Sequence, residues 1–309
     1  MTIRVAKPGL FTTVQDLGRY GYAHLGISPA GAADPLSFRI ANLLVGNGEN
    51  APALEMTMLG ASLEFEESAV VAITGASCEC KLDSASLPTN VACYLPAGAI
   101  LQCESTTSGA RSYLAVQGGF DIPLVMGSAS TFVPGRFGGL KGRRLQKDDM
   151  LQLRNHGSFR ARALRPGSLD RLLDPRPLRV TKGSQHDWFA PEIFEKLFST
   201  VYMVSEQSDR TGLRLKGEVL RPREHSELLT DGIPLGAIQV PQDGQPIILF
   251  VDQQTTGGYP KIANVIAADL HRVGQLKPRD EVRLVEASIA EAIQALGEQE
   301  RWLRTIFVS

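Results

Sequence analysis

Short apolar runs broken by turn residues dominate this chain. Between positions 53 and 153 they read ALEMTM, SLEFE, AVVAIT, CECKL, VACYL, ILQCE, RSYLAV and MLQL. Runs of this length, with Gly, Pro, Asn, Asp or Ser between them, read as strands, and their spacing predicts a closed or nearly closed β barrel. A second set follows: VYMVS, LRLKGEVL, AIQV, PIILFV and DEVRL. Only three segments keep a helical period. In DPLSFRIANLLVGN, Asp34 caps, Pro35 takes the first turn, Leu36, Ile40, Leu43 and Leu44 share a face, and Gly46-Asn47-Gly48 stops the helix. APEIFEKLF is a second helix. The third closes the chain from Glu286 to about Leu303, with Ile289, Ala292, Ile293 and Leu296 on one face and charge directed outward.

The two halves echo each other. RSYLAVQGGFDIPLVMGSAS and PIILFVDQQTTGGYPKIANVIA share an order: strand, Gly-Gly-aromatic, Pro, apolar run. The expected fold is therefore mainly β, two related barrels with a few short peripheral helices. Residues 155–178, rich in Arg and Pro and without a period, read as a linker between an N-terminal barrel over 1–154 and a C-terminal barrel over 179–309.

Bulk composition narrows the partners. With 309 residues, a net charge of −1, 30 glycines and 18 prolines, the chain is turn-rich and has no global pull toward nucleic acid or an anionic membrane. No stretch approaches the roughly 20 apolar residues that span a bilayer, and the N-terminus lacks the apolar core of a signal peptide. The expected location is the cytoplasm. The four cysteines lie between Cys78 and Cys103; Cys78-x-Cys80 is too tight for the usual zinc spacing, so they read as reduced thiols and no metal site is expected.

No P-loop, H-E-x-x-H, G-x-S-x-G or dinucleotide fingerprint occurs. Four polar clusters carry what chemistry there is. TTVQDLGRYG holds Gln15, Asp16 and Arg19. GRFGGLKGRR packs four glycines and four basic residues into ten positions, a loop able to turn backbone N–H groups toward an anion. SEQSDRTGLRL places Arg210 and Arg214 on one face if it is a strand, and two guanidiniums suit a carboxylate or phosphate. DQQTTGGYPKI, after the buried run QPIILFV, sets an acid, two amides, two hydroxyls and a glycine pair at a strand end. Gly257 and Gly258 there suggest positive φ or a closely approached backbone.

Five stretches together resemble one family: PGLFTTVQDLGRYGY…GISPAGAADPLSFRIANLLVGN, LEMTMLGASLEF, RSYLAVQGGFDIPLVMGS, SEQSDRTGLRL and DQQTTGGYPKIANVIAADLHRVGQL. They are similar to the KipA, or allophanate hydrolase subunit 2-like, family, also called the biotin-dependent carboxyltransferase domain family, and lie nearest its 5-oxoprolinase branch. The match runs in order over about residues 3–290. It implies two cyclophilin-like β barrels. It also implies two partner chains, the A subunit plus a KipI-like B subunit. Together with a chain like this one they hydrolyse 5-oxo-L-proline to L-glutamate using ATP, with Mg2+.

The family also implies alternatives. One is transfer of a carboxyl group from carboxybiotin to urea or a related amide; no A-M-K-M acceptor is present, so biotin would arrive on another chain. The other is a regulator that antagonises a KipI-like inhibitor of a histidine kinase. Under the first reading Asp16, Arg210, Arg214 and Asp252 are the candidate catalytic residues. Gln15, Arg19, Gln207, Ser208, Gln253, Thr255, Thr256, Gly257, Gly258 and Tyr259 are candidate substrate contacts, and Gly138, Gly139, Lys141 and Arg143 candidate phosphate contacts.

Overall fold

A computed structural model describes residues 2–154, 162–169, 172, 177–223 and 229–308. The protein is mainly β and contains a half-barrel and a nearly closed eight-stranded barrel, with four α-helices among the described residues. Two compact units divide the chain. The first comprises Met1–Arg19, Ala30–Ser168 and Leu303–Ser309, and the second Tyr20–Pro29 and Leu169–Trp302. Most of the expected linker lies outside the described residues. Within it, Ala163–Leu164 pairs antiparallel with Phe307–Val308.

In the first unit the strands Phe11–Gln15, Ala53–Thr57, Ile100–Val116, Ser62–Phe65, Thr2–Lys7 and Met150–Gln152 lie side by side in that order. Ile3, Val5, Val14, Leu54, Leu63, Val71, Leu101, Leu114 and Leu151 fill its core. Four runs that read as separate strands are two long ones. AVVAIT and CECKL join in Ala69–Leu82, and ILQCE and RSYLAV in Ile100–Val116. The pair is antiparallel, and register shifts between Gly75 and Cys80 let it bend without breaking. Gly75, at φ 94, faces Arg111 and Ser112 too closely for any Cβ. The four cysteines are free thiols, with Cys80 and Cys103 buried.

Helix Pro35–Leu44 forms as its sequence dictates. The Asp34 carboxylate accepts the Ser37 N–H at 2.9 Å, Pro35 begins the first turn, and Gly46 leaves it at φ 76. Leu36, Phe38, Ile40, Ala41 and Leu44 are buried.

The second unit's sheet runs Glu281–Val282, Tyr202–Val204, Gly212–Lys216, Ile247–Leu249, Ala237–Gln239, Lys261–Val265, Leu178–Lys182 and Leu284–Glu286. Helix Ile289–Thr305 leaves the two isoleucines of its expected face in solvent and buries a neighbouring face through Ala295, Gln299 and Leu303. Ile289 is 71% and Ile293 68% exposed, while Ala295 and Gln299 are buried. Small side chains let the helix approach Ile266, Ala268 and Ala287, and Gln299 Nε2 donates to the Ala268 carbonyl at 2.7 Å. No helix among the described residues is long and apolar enough to cross a membrane.

Candidate functional site

The strand Ile247–Leu249 ends at buried Phe250, and the polar stretch that follows does four separate jobs. Asp252 is 5% exposed and pairs with Arg210, which is 6% exposed: Nε donates to Oδ2 at 2.8 Å and Nη2 to Oδ1 at 3.0 Å. The Asp252 N–H also donates to the Arg210 carbonyl at 2.9 Å. Gln253 is buried. Its Nε2 donates to the Ile233 carbonyl at 3.0 Å, its own carbonyl accepts the Ser28 hydroxyl, and its Oε1 is buried without a partner among the described residues. Thr256–Gly257 forms a two-residue ribbon with Asp231–Gly232, and the Thr255 carbonyl accepts the Ile233 N–H at 2.9 Å. Gln254 and Tyr259 reach a cavity.

That cavity, of about 490 Å³, is lined by Gln207, Arg214, Gln239, Gln242, Gln254 and Tyr259, with Asp209, Asp243 and parts of the strands beneath. Its floor depends on glycine: a Cβ on Gly212 would lie 2.9 Å from Ile247 Cγ2. Its SEQSDRTG wall is shaped by its own short side chains. Asp209 Oδ1 accepts the Thr211 and Gly212 N–H groups at 2.8 and 3.2 Å, and Ser208 Oγ accepts the Arg214 N–H at 3.0 Å. Ser208 thereby serves the loop's shape.

Arg210 and Arg214 play different parts. Arg210 precedes the strand Gly212–Lys216 and is locked inward; Arg214 lies on it with an exposed side chain. The reading that put both guanidiniums on one strand face is corrected: the strand begins only at Gly212.

Gln239 is 1% exposed, and its Nε2 donates to the Tyr259 carbonyl at 3.2 Å. A carbonyl only accepts, so this bond fixes the amide's orientation, with Nε2 toward Tyr259. Gly257 meets the same side chain: a Cβ there would stand 2.8 Å from Ile233 Cδ1 and 3.2 Å from Gln239 Nε2. Close approach, with no positive φ, is what requires glycine at 257. The echo in the first unit differs, with Gly118 and Gly119 at φ 84 and 77.

Beside the ribbon, Lys261 is wholly buried and its Nζ lies 2.8 Å from Asp231 Oδ2. The Lys261 ammonium, with help from the Gly232 N–H, holds the Asp231 carboxyl below the usual carboxylate range.

The family model for "carboxyltransferase domain, subdomain A and B" matches residues 25–286. The chain belongs to the carboxyltransferase domain family. It is 40% identical to the C subunit of 5-oxoprolinase from Escherichia coli K12 over 304 residues, which covers 98% of this chain and 97% of that one. It is 37% identical to the C subunit of 5-oxoprolinase from Haemophilus influenzae, covering 95% and 94%. Among solved structures, the Kluyveromyces lactis urea amidolyase superposes with a TM-score of 0.90 at 34% identity, covering 99% of this chain but 20% of that one. This carboxyltransferase-family chain thus spans a fifth of that protein's length.

The remaining sequence candidates gather in the first unit. Asp16 is buried, and its carboxylate accepts the Ser128 and Ser130 hydroxyls and the Gly18 and Ala129 N–H groups. Gln15, fully buried, donates to Thr13 Oγ1 at 2.9 Å and to the Thr131 carbonyl at 3.3 Å. Arg19 is buried, donates to the Ser130 carbonyl and stacks 5.0 Å above the Phe137 ring. Gly138 and Gly139 press against Ser130 and Thr131 with no room for a Cβ. Arg143 is held by two 2.7 Å hydrogen bonds to Asp149, while Lys141 is exposed.

Sequence reasoning missed Gln239, Gln242, Gln254 and Lys261. Gln239 had a signal: one amide inside the apolar run GAIQV. Lys261 had another, a lysine opening the strand KIANV.

Proposed function

We propose that this chain is the C subunit of an ATP-dependent 5-oxoprolinase. With an A subunit plus a KipI-like B subunit, it converts 5-oxo-L-proline and water to L-glutamate, with ATP hydrolysed to ADP and phosphate. The observation that carries this reading is the 40% identity to a 5-oxoprolinase C subunit, extending over nearly the full length of both chains.

The cavity's chemistry supports it. A lactam has one N–H donor and one carbonyl acceptor, and four glutamines line the cavity. In this reading Gln239 Oε1 accepts the lactam N–H, and its bond to Tyr259 holds it ready. Arg214 meets the anionic charge that develops at the lactam oxygen or on a phosphoryl group there. The Arg210–Asp252 pair, buried beneath, positions both polar turns. Ser208 and the Thr255–Gly258 stretch give the walls their shape. Asp16, Gln15 and Arg19 hold the first unit's loops. Exposed Lys141 is that unit's candidate for a phosphate. The nucleotide's place is left to the assembled complex.

A second reading is carboxyl transfer from biotin carried on another chain to an amide such as urea, favoured by the superposition on urea amidolyase. The test reconstitutes the chain with the A and B subunits, then assays two reactions side by side. Release of L-glutamate and phosphate from 5-oxo-L-proline and ATP supports the first reading. Urea carboxylation dependent on a biotinylated partner, with no glutamate released, replaces it with the second.

A further inference from the structure

A wholly buried lysine is rare because desolvating an ammonium is costly. Among the described residues Lys261 meets that cost with one ion-pair partner that is itself half in solvent: the Asp231 side chain is 48% exposed while that of Lys261 is at 0%. Three donors converge on this one carboxylate. Lys261 Nζ lies 2.8 Å and Gln185 Nε2 3.4 Å from Oδ2, and the Gly232 N–H lies 2.7 Å from Oδ1. Two of the donors are held independently of the acid, while the third, the Gly232 N–H, belongs to the next residue on the acid's own ribbon. Gln185 is 8% exposed and clamped to Lys261 by its Oε1, which accepts the Lys261 N–H at 3.2 Å, and by its own N–H, which donates to the Lys261 carbonyl at 3.2 Å. Asp231, by contrast, sits on a two-residue ribbon opposite Gly257. Lys261 is the register partner of Gln239, which lines the cavity.

We propose that Lys261, Gln185 and the Gly232 N–H form a carboxylate cradle beside the cavity, filled in the resting chain by the Asp231 side chain and taken over by the carboxylate of a small acid ligand when Asp231 swings out. Asp231 is then an internal competitor and Lys261 the ligand's buried counter-ion. That the ligand is 5-oxo-L-proline rests on the function proposed above; the cradle does not.

The test is chemical rescue of the full-length chain. Asp231→Ala leaves the ammonium buried with its partner removed, so its melting temperature rises with added acetate at constant ionic strength and ignores acetamide, while Asp231→Ala/Lys261→Met responds to neither. Asp231→Asn, which keeps a hydrogen-bonding oxygen but no charge, shows the same preference for acetate and serves if the alanine variant does not fold. In the reconstituted complex, Asp231→Ala lowers KM for 5-oxo-L-proline several-fold at unchanged kcat, and Lys261→Met raises KM about tenfold or more, the factor that corresponds to one lost charged contact. Asp231 variants indifferent to acetate, or equally responsive to acetamide, overturn the cradle. Acetate rescue in a chain whose complex hydrolyses no 5-oxo-L-proline supports the cradle and overturns the functional reading instead.

Discussion

Arg210 and Asp252 grip each other through a paired set of hydrogen bonds at 2.8 and 3.0 Å, with a backbone bond between the same two residues behind them. Separated by 42 positions, they join the SDRTG turn to the DQQTTGG stretch. The cavity of the second unit is built on this joint, because the two turns it unites supply Asp209, Thr211 and Gln254 to its lining, with Gln207, Arg214 and Tyr259 flanking them in sequence.

Arg210→Ala therefore removes both guanidinium hydrogen bonds from a buried carboxylate, which costs about 3–5 kcal/mol. Arg214→Ala, at an exposed position, changes stability by less than about 0.5 kcal/mol. Urea denaturation of both variants separates the two roles. Equal stability losses would contradict the division between brace and exposed cation.

Much of the fold was legible because its local signals agree. The Asp34 cap, the Pro35 first turn and the buried stripe of helix Pro35–Leu44 are all sequence-local, and the structure uses them as written. Strand boundaries were less legible where pairing overrides composition: Ala69–Leu82 continues through Gly75 because its partner Ile100–Val116 bends with it. The closing helix is partly legible from hydrophobicity: Ala292 of the expected face packs against the cluster of Ile266, Ala268, Ala287 and Ala295, but Ile289 and Ile293 stay in solvent while Gln299 and Leu303 are buried. The cavity and the residues around it were half legible. Gln207, Arg214 and Tyr259 stand in polar runs, but Gln239 and Lys261 hide within apolar strands, where only their burial and partners reveal them.

The two glycine pairs respond to different causes. Gly119→Val forces a β-branched residue to φ 77 with Ala51 Cβ 3.4 Å away, a strain of about 1–2 kcal/mol, and its loss is expected in melting temperature alone. Gly257→Val collides with the side chains of Ile233 and Gln239, so turnover in the reconstituted complex falls by more than the lost stability accounts for. Activity that tracks melting temperature equally in both variants would make the TTGGYP segment a turn and nothing more.

Acid sensitivity has a named contributor. The Arg143 guanidinium holds the Asp149 carboxyl below its usual range. A carboxylate whose folded pKa is depressed contributes its full stabilisation above the unfolded value of about 3.9 and loses it as pH falls through the lower folded value. Asp149→Asn is thus expected to cost about 1 kcal/mol near neutrality. The gap to the native protein closes only as pH drops below about 4. Denaturation curves collected from neutral pH into that range check the sign; a gap that persists unchanged to the most acidic curve contradicts it.

Under the proposed function, the cavity around Arg214 and Gln239 is where 5-oxo-L-proline is processed. The most direct test is kcat/KM for 5-oxo-L-proline in the complex reconstituted with the Arg214→Ala chain. The expected result is a fall of about a hundredfold or more, the scale of losing a group that stabilises transition-state charge, at an unchanged melting temperature. Native kcat/KM in that variant would contradict this placement and move the chemistry elsewhere.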